Sequence, residues 1–351
     1  MRYSSFGISQ IVNTPSFYAI SSGKTLSVVK TLQHCLNSND NVLFSFDATG
    51  LIRFIKVSNC FRFLYIVSEA IHLFRTDKWT LEKSCIPPKR VTSCTHFIYN
   101  DHFRIIFSDK TGDVYLFEHE HPTYLLGHLL VVNALQVDSR SNYIFTSEKD
   151  CRVRATLLPY TQVIHGYLHG HTNTVSSLER LFIDDYEYLV SSTLSGELSL
   201  FRVADLTDCS FPIHQHHLPD SRFLSILCST SNLVVAAHCS EQLSADHQFT
   251  LSLVSFEFIN GLLKSRERSL TLAKGLIPTS ASFDPNHGLI VSVCCVSNDK
   301  SSDFLLSITN LTGDDLVIFN IEFDYEGFRQ QCGVPFLEVF PELFETCIVD
   351  V

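Results

Sequence analysis

Residues 142–157 read NYIFTSEKDCRVRATL, and the reading of this stretch decides the fold. An apolar run ends in Thr146-Ser147, a tight polar turn follows, and a second, alternating run begins at Val153. That is the pattern of two strands joined as a hairpin. The same pattern occurs on either side. RIIFSDKTGDVYLFE covers 104–118 and EYLVSSTLSGELSLFRV covers 187–203. Two of the three turns carry glycine, Gly112 and Gly196, which accepts the positive φ that a tight hairpin demands.

The turns recur at intervals close to the ~40–45 residues of a WD-type propeller blade. Gly-His pairs stand where such repeats put them: Gly127-His128 precedes VVNALQVD and Gly170-His171 precedes VSSLERLF. In a WD repeat this histidine joins a hydrogen-bonded set with a Ser or Thr, an Asp and a Trp. Here the sets are incomplete. The 142–157 repeat offers His128, Thr146 and Asp150, with Thr156 where Trp is usual. The next offers His171 and Ser192, with Ser195 and Phe201 replacing Asp and Trp.

Fainter repeats extend the series. FRFLYIVSEAIHLFRTDKW (61–79), FLSILCSTSNLVVAAHC (223–239) and TSASFDPNHGLIVSVCC (279–295) each supply strand runs. Residues 1–35 are expected to contribute strands that close the ring with the C-terminal segment. Stretches 205–221 and 240–248 read as loops. The sum is an all-β, seven-bladed β-propeller of degenerate WD repeats, a single domain over 1–351.

Composition agrees with this. The chain has 351 residues, is 45% hydrophobic and holds 28 Phe, enough for a large core. No apolar run approaches the ~18 residues of a membrane span, and MRYSSFGISQ lacks the apolar centre of a signal peptide. The twelve cysteines are scattered, with no C-x-x-C, so zinc ligation is not expected. They read as reduced, buried thiols of an intracellular protein. The net charge of −11 opposes direct binding to phosphate.

Candidate chemistry is sparse. There is no Gly-rich phosphate loop, nucleophile elbow or zinc helix, so neither a catalytic constellation nor a cofactor is expected. His214, His216 and His217 in PIHQHHLPD could ligate a metal, but a solvated outer strand or loop is the stronger reading. Arg152 and Arg154, with Lys149 close by, stand out on an acidic chain. WD repeats often carry a basic residue at the Arg154 position of this inner strand as a solvated rim charge. Strand periodicity puts Arg152, Arg154 and Thr156 on one face and Val153 and Ala155 on the other. Arginine's planar fork suits pairing with a carboxylate at an interface.

FRTDKW (74–79), PPKRVTSCTHF (87–97), SDKTGDVYLF (108–117), LLGHLLVV (125–132), TSEKDCRVRAT (146–156) and YLHGHTNTVSSL (167–178) occur in this order. Together they resemble the WD-repeat, non-catalytic subunit of the eukaryotic tRNA (guanine-N7-)-methyltransferase. The resemblance is good over about 61–203 and elsewhere only architectural. It implies a propeller that does no chemistry. A separate Rossmann-like subunit would bind S-adenosylmethionine and methylate a guanosine in the tRNA variable loop. The propeller would form a heterodimer with that subunit, hold it in a competent shape and help position tRNA through the complex. It further implies a nuclear location, with the cytoplasm as a second site, and no membrane association. Lys149, Asp150, Arg152 and Arg154 match the family's D-R-D-x-K-I-R segment, whose basic residues contact the catalytic partner. Lys149, Arg152 and Arg154 are thereby the expected partner-binding residues. Glu148 stands for the segment's first Asp, and Thr174 stands where an aromatic is common. The competing reading is a generic WD-repeat scaffold in another intracellular assembly, which has no reason to pair SDKTGDVYLF with this arginine-bearing strand.

Overall fold

The computed structural model describes residues 8–30, 42–58, 60–100, 102–118 and 121–217, and beyond these the strands between 221 and 322. Past His217, side chains are described at Val254, Phe256, Ile259 and 262–267.

Strands β1 (Ile8–Asn13), β2 (Tyr18–Ser22), β3 (Thr25–Val29) and β4 (Val42–Asp47) form the first antiparallel sheet. The second holds β5 (Phe54–Val57), β6 (Phe63–Val67), β7 (Ile71–Arg75) and β8 (Thr80–Cys85). The third holds β9 (Val91–Tyr99), β10 (His102–Asp109), β11 (Asp113–Phe117) and β12 (Thr123–Gly127). The fourth is built from β13 (Ala134–Val137), β14 (Tyr143–Ser147), β15 (Val153–Leu157) and β16 (Ile164–Leu168). In the fifth, β17 (Val175–Ile183), β18 (Tyr186–Thr193) and β19 (Glu197–Arg202) are followed by β20 (Cys209–Ser210), which joins the fourth sheet, and β21 (His214–His217), which completes the fifth. The sixth comprises β22 (Ser221–Ser229), β23 (Leu233–Ser240), β24 (Phe249–Ile259) and β25 (Leu262–Thr271). The seventh comprises β26 (Leu276–Asp284), β27 (Gly288–Cys295), β28 (Leu305–Asn310) and β29 (Val317–Glu322). Among the described residues the seven sheets, antiparallel apart from β20, are consistent with the seven blades expected.

Internal contacts divide the chain into two units, 85–271 and 1–84 with 272–351. In the 85–271 unit the first strands β9, β13, β17 and β22 lie side by side. A polar chain ties three of them: Thr95 Oγ1 donates to Gln136 Oε1 (2.8 Å), and Gln136 Nε2 donates to Glu179 Oε2 (3.0 Å). The fourth sheet buries both faces against its neighbours. Ile144 packs with Val114, Leu126 and Ile106 of the third sheet, while adjacent Phe145 packs with Val175, Leu189 and Phe201 of the fifth. This is why the strands read as apolar runs instead of strict alternation. Burying each such side chain contributes roughly 1.5–3 kcal/mol.

In the other unit, β1 lies beside β26 and β5. Gln10 joins the first two sheets, donating to the Arg53 carbonyl (2.7 Å) and accepting from Ile55 N (2.5 Å). Trp79 stacks on Phe44 (5.5 Å between centroids) and meets Phe17 edge-on (4.9 Å).

Residues 8–29 supply β1–β3, which pair with β4, and β1 lies against β26 and β27 of the seventh sheet, as expected of strands that meet the C-terminal segment. Two expectations are corrected. Stretch 205–221 is not a plain loop. It supplies β20, parallel to β16, and β21, antiparallel to β19. Gly166 permits the β20 crossing, because a Cβ there would lie 2.3 Å from the Thr207 carbonyl oxygen. Stretch 240–248 lies outside the described residues apart from Ser240, the last residue of β23. Among the described free cysteines, Cys85 and Cys94 are buried as expected, but Cys60 and Cys209 are exposed.

Candidate partner-binding surface

Three hairpin turns of the 85–271 unit can be overlaid through their strand register, with Ser108 paired to Val114, Ser147 to Val153 and Ser192 to Leu198. Between these pairs run DKTGD, EKDCR and TLSGE. The fourth position is Gly112 (φ 89°), Cys151 (φ 58°) and Gly196 (φ 90°). Cys151 thus occupies a left-handed position where its neighbours use glycine. The fifth position is Asp113, Arg152 and Glu197, so the middle hairpin reverses a charge.

The first position explains how the middle turn is held. Asp109 and Thr193 cap their own turns: Asp109 Oδ1 accepts from Thr111 N (2.9 Å) and Asp113 N (3.3 Å), and Thr193 Oγ1 accepts from Glu197 N (3.1 Å). Glu148 instead turns to the preceding loop. Its carboxylate pairs with His128 Nδ1 and accepts from Leu130 N (3.1 Å). Burial pushes the His128 pKa down and the bond to Glu148 pulls it back up.

The expected His128–Thr146–Asp150 set therefore does not assemble. Glu148 takes the histidine, and Asp150 binds Arg152 (3.0 Å, Oδ2 to Nε). In the next sheet His171 Nε2 meets Ser191 Oγ at 2.7 Å, and Ser192 bonds Ser176 instead. The correction follows from strand alternation: Ser191 and Ser192 face opposite sides. Phe201 does take the place of the usual Trp, its ring 5.6 Å from His171. Burial pushes the His171 pKa down to about 4.

The three expected partner-binding residues fall into two environments. Lys149 and Arg152 are exposed in the turn. Arg152 forms an ion pair with Asp150 and sits 5.1 Å above the Tyr167 ring. Such an exposed pair contributes only about 0–1 kcal/mol, so the guanidinium can exchange partners at little cost. Arg154 is different. It lies on β15, the third strand of its sheet counted from β13, between β14 and β16. Its half-buried guanidinium donates from Nη1 to the Gly127 carbonyl (3.3 Å), tying the fourth sheet to the third. Burial pushes its pKa down, while Tyr167 and Glu148 act in the opposite sense.

The signal that the sequence reading missed is the loop before β13. In Gly127-His128-Leu129-Leu130-Val131-Val132, Val132 is fully buried, yet Leu129 is 98% and Leu130 47% exposed. A four-residue apolar run reads as core by hydropathy, and only the turn geometry shows that half of it points outward. The three histidines of 214–217 are not brought together. His214 and His216 face Ser265 (3.3 and 2.9 Å), His216 also approaches Glu267 Oε2 (3.3 Å), and alternation turns exposed His217 away.

The fold and these hairpins define a WD-repeat β-propeller. The structure is similar to that of U3-55K (TM-score 0.60, 15% identity, 82% of this chain and 88% of that one). It is also similar to the β-propeller domain of Myceliophteria thermophila Cps50 (Swd1) (TM-score 0.62, 14% identity, 85% and 95%). Residues 117–211 match the family described as the tRNA methyltransferase TRM82 WD40 domain. Relatives include the tRNA (guanine-N(7)-)-methyltransferase non-catalytic subunit wuho of Drosophila pseudoobscura pseudoobscura (34% identity, 38% of this chain, 33% of the relative). The wuho subunit of Culex quinquefasciatus matches more of the chain (27% identity, 72% and 57%). The WDR4 subunit of Mus musculus is similar at 30% identity (38% and 33%). The match thus spans between a third and somewhat over half of these relatives' length.

Proposed function

We propose that this chain is the non-catalytic subunit of a tRNA (guanine-N7-)-methyltransferase. It forms a heterodimer with the catalytic subunit, which carries the S-adenosylmethionine chemistry, and acts on tRNA only through that complex, chiefly in the nucleus. The names of the relatives support this reading. The observation that carries it is the charge reversal at Arg152, with Lys149 beside it, in a hairpin whose two neighbours present Asp113 and Glu197 at the same position.

Lys149 and Arg152 pair with carboxylates of the catalytic subunit, Arg152 exchanging Asp150 for the partner. Arg154 takes part from beneath, by holding the hairpin to Gly127. Removing one member of a desolvated charge pair strands the other and costs about 2–5 kcal/mol. That is at least a tenfold loss of affinity.

The test is co-expression with the catalytic subunit, comparing wild type with the Lys149→Ala, Arg152→Ala double variant. Wild type is expected to co-purify in equal amounts and to support guanine-N7 methylation of tRNA. The double variant is expected to melt like wild type and bind at least tenfold more weakly. A wild-type chain that does not associate would sink the subunit reading, and a double variant that binds normally would remove the basic anchor.

A further inference from the structure

The subunit reading leaves unexplained the leucines of the loop that Glu148 holds. The next sheet supplies a reference. Overlaid on the Gly-His pairs, the two loops read GHLLVV (127–132) and GHTNTV (170–175), both leading into first strands. The buried valine is common to both, Val132 and Val175 each fully buried. The intervening positions are apolar in one and polar in the other: Leu129 against Thr172, Leu130 against Asn173, Val131 against Thr174. A glutamate holds each loop through a backbone amide, Glu148 through Leu130 N and Glu197 through Thr172 N. The fold is therefore satisfied by polar residues here and does not require leucine.

The GHLLVV loop is also rigidly placed. His128 N donates to the Gly112 carbonyl (3.0 Å) and Asn133 N to the Ser147 carbonyl (2.9 Å). A Cβ at Gly112 would lie 2.4 Å from the Leu130 carbonyl oxygen, so this turn packs directly on the loop. Leu129 is thus displayed, at 98% exposure, from a loop fixed on both sides, and little ordering remains to be done on binding. The flanking turns bring exposed cations to the same end: Lys110 from the turn closed by Gly112, and Lys149 and Arg152 from the turn that starts at Glu148.

We infer that Leu129 and Leu130 form the apolar centre of a protein-docking surface whose basic rim is Lys110, Lys149 and Arg152, and that its occupant is an aliphatic pocket edged with carboxylates on the catalytic subunit. This rests on the subunit reading above. Charge complementarity selects an acidic edge. The aliphatic centre selects protein over nucleic acid, since a phosphate backbone offers an exposed leucine nothing to pack against. The chain's net charge of −11 acts in the same direction. Buried apolar centres with polar rims are the usual anatomy of protein interfaces.

The experiment titrates full-length chain against the purified catalytic subunit by calorimetry. Variants are Leu129→Thr, which copies Thr172, and Leu129→Asp, each with a thermal melt. Both are expected to melt with wild type, because the side chain is outside the core. Leu129→Thr should weaken binding about tenfold, the effect of leaving a leucine unburied. Leu129→Asp, which meets the carboxylate edge, should weaken it at least a hundredfold. If wild type itself fails to bind, the subunit reading falls. If wild type binds and Leu129→Asp binds equally well, this inference falls alone. If Leu129→Asp abolishes a wild-type self-association seen by sedimentation, or reduces crosslinking to tRNA, while leaving the catalytic subunit bound, the occupant is a second copy or RNA and the inference is overturned.

Discussion

The hairpins at 147–153 and 192–198 occupy the same place in consecutive sheets and are built by the same strand register, yet they spend their polar groups differently. In the second, His171 and Ser191 bond to each other inside the sheet, Phe201 covers the histidine, and Thr193 closes the turn. Its polar groups serve the fold. In the first, Glu148 leaves its own turn to hold the preceding loop, Cys151 fills a glycine position, and Arg152 reverses the usual charge. Around it Lys149, Arg152, Leu129 and Leu130 are exposed. The same hairpin position therefore occurs in two versions, one closed on itself and one modified.

The largest expected effect lies in the version closed on itself and depends on pH. His171 titrates near 4 in the folded state because burial disfavours its charge, against about 6.5 when unfolded. The unfolded state therefore takes up the proton first. The contribution of neutral His171 is complete above about pH 6.5 and is lost as pH falls toward 4, on the order of 3 kcal/mol. Denaturant titrations at pH 7 and pH 4.5 should show this loss in wild type and a much smaller one in His171→Gln. His128→Gln should flatten the curve less, since Glu148 offsets the burial of His128. Equal flattening by the two variants would erase the distinction between the hairpins.

Arg154 and Arg152 give the next contrast. Arg154→Ala removes the bond to Gly127 and a half-buried stem between sheets, and should cost about 1–3 kcal/mol of stability. Arg152→Ala should stay within about 0.5 kcal/mol, as exposed sites do. Chemical denaturation of both variants, without any partner, measures the difference. A silent Arg154→Ala would return that residue to the solvated rim.

The smallest effect sharpens the comparison of the turns. Cys151 holds φ 58° where Gly112 and Gly196 hold similar angles. A left-handed residue with a Cβ costs about 1–2 kcal/mol, part of which glycine's greater unfolded freedom gives back. Cys151→Gly should therefore raise the unfolding free energy by up to about 1 kcal/mol, while Cys151→Ala should not. Destabilisation by the glycine variant would show that the thiol's own packing holds the turn.

Much of this was legible in the residues. Strand-turn-strand runs at 104–118, 142–157 and 187–203 give the all-β class, the repeat period and the hairpin positions, because strand periodicity and glycine turns are local properties of sequence. The TRM82-type resemblance rests on such local motifs too, and the prominence of Arg152 needed only a count of charges. The charge reversal against Asp113 and Glu197 was readable in principle once the turns were set in register. Tertiary structure alone decided the remainder. Glu148 and not Asp150 takes His128, because a loop from the preceding strand brings the imidazole to it. Arg154 ties two sheets while Arg152 faces solvent, although they stand only two residues apart, because Arg154 lies on the strand, where a neighbouring sheet covers it, and Arg152 lies in the turn. Leu129 is exposed and Val132 buried within one apolar run, because hydropathy records what a side chain prefers, whereas the path of the backbone past Gly112 and Glu148 fixes which way it points.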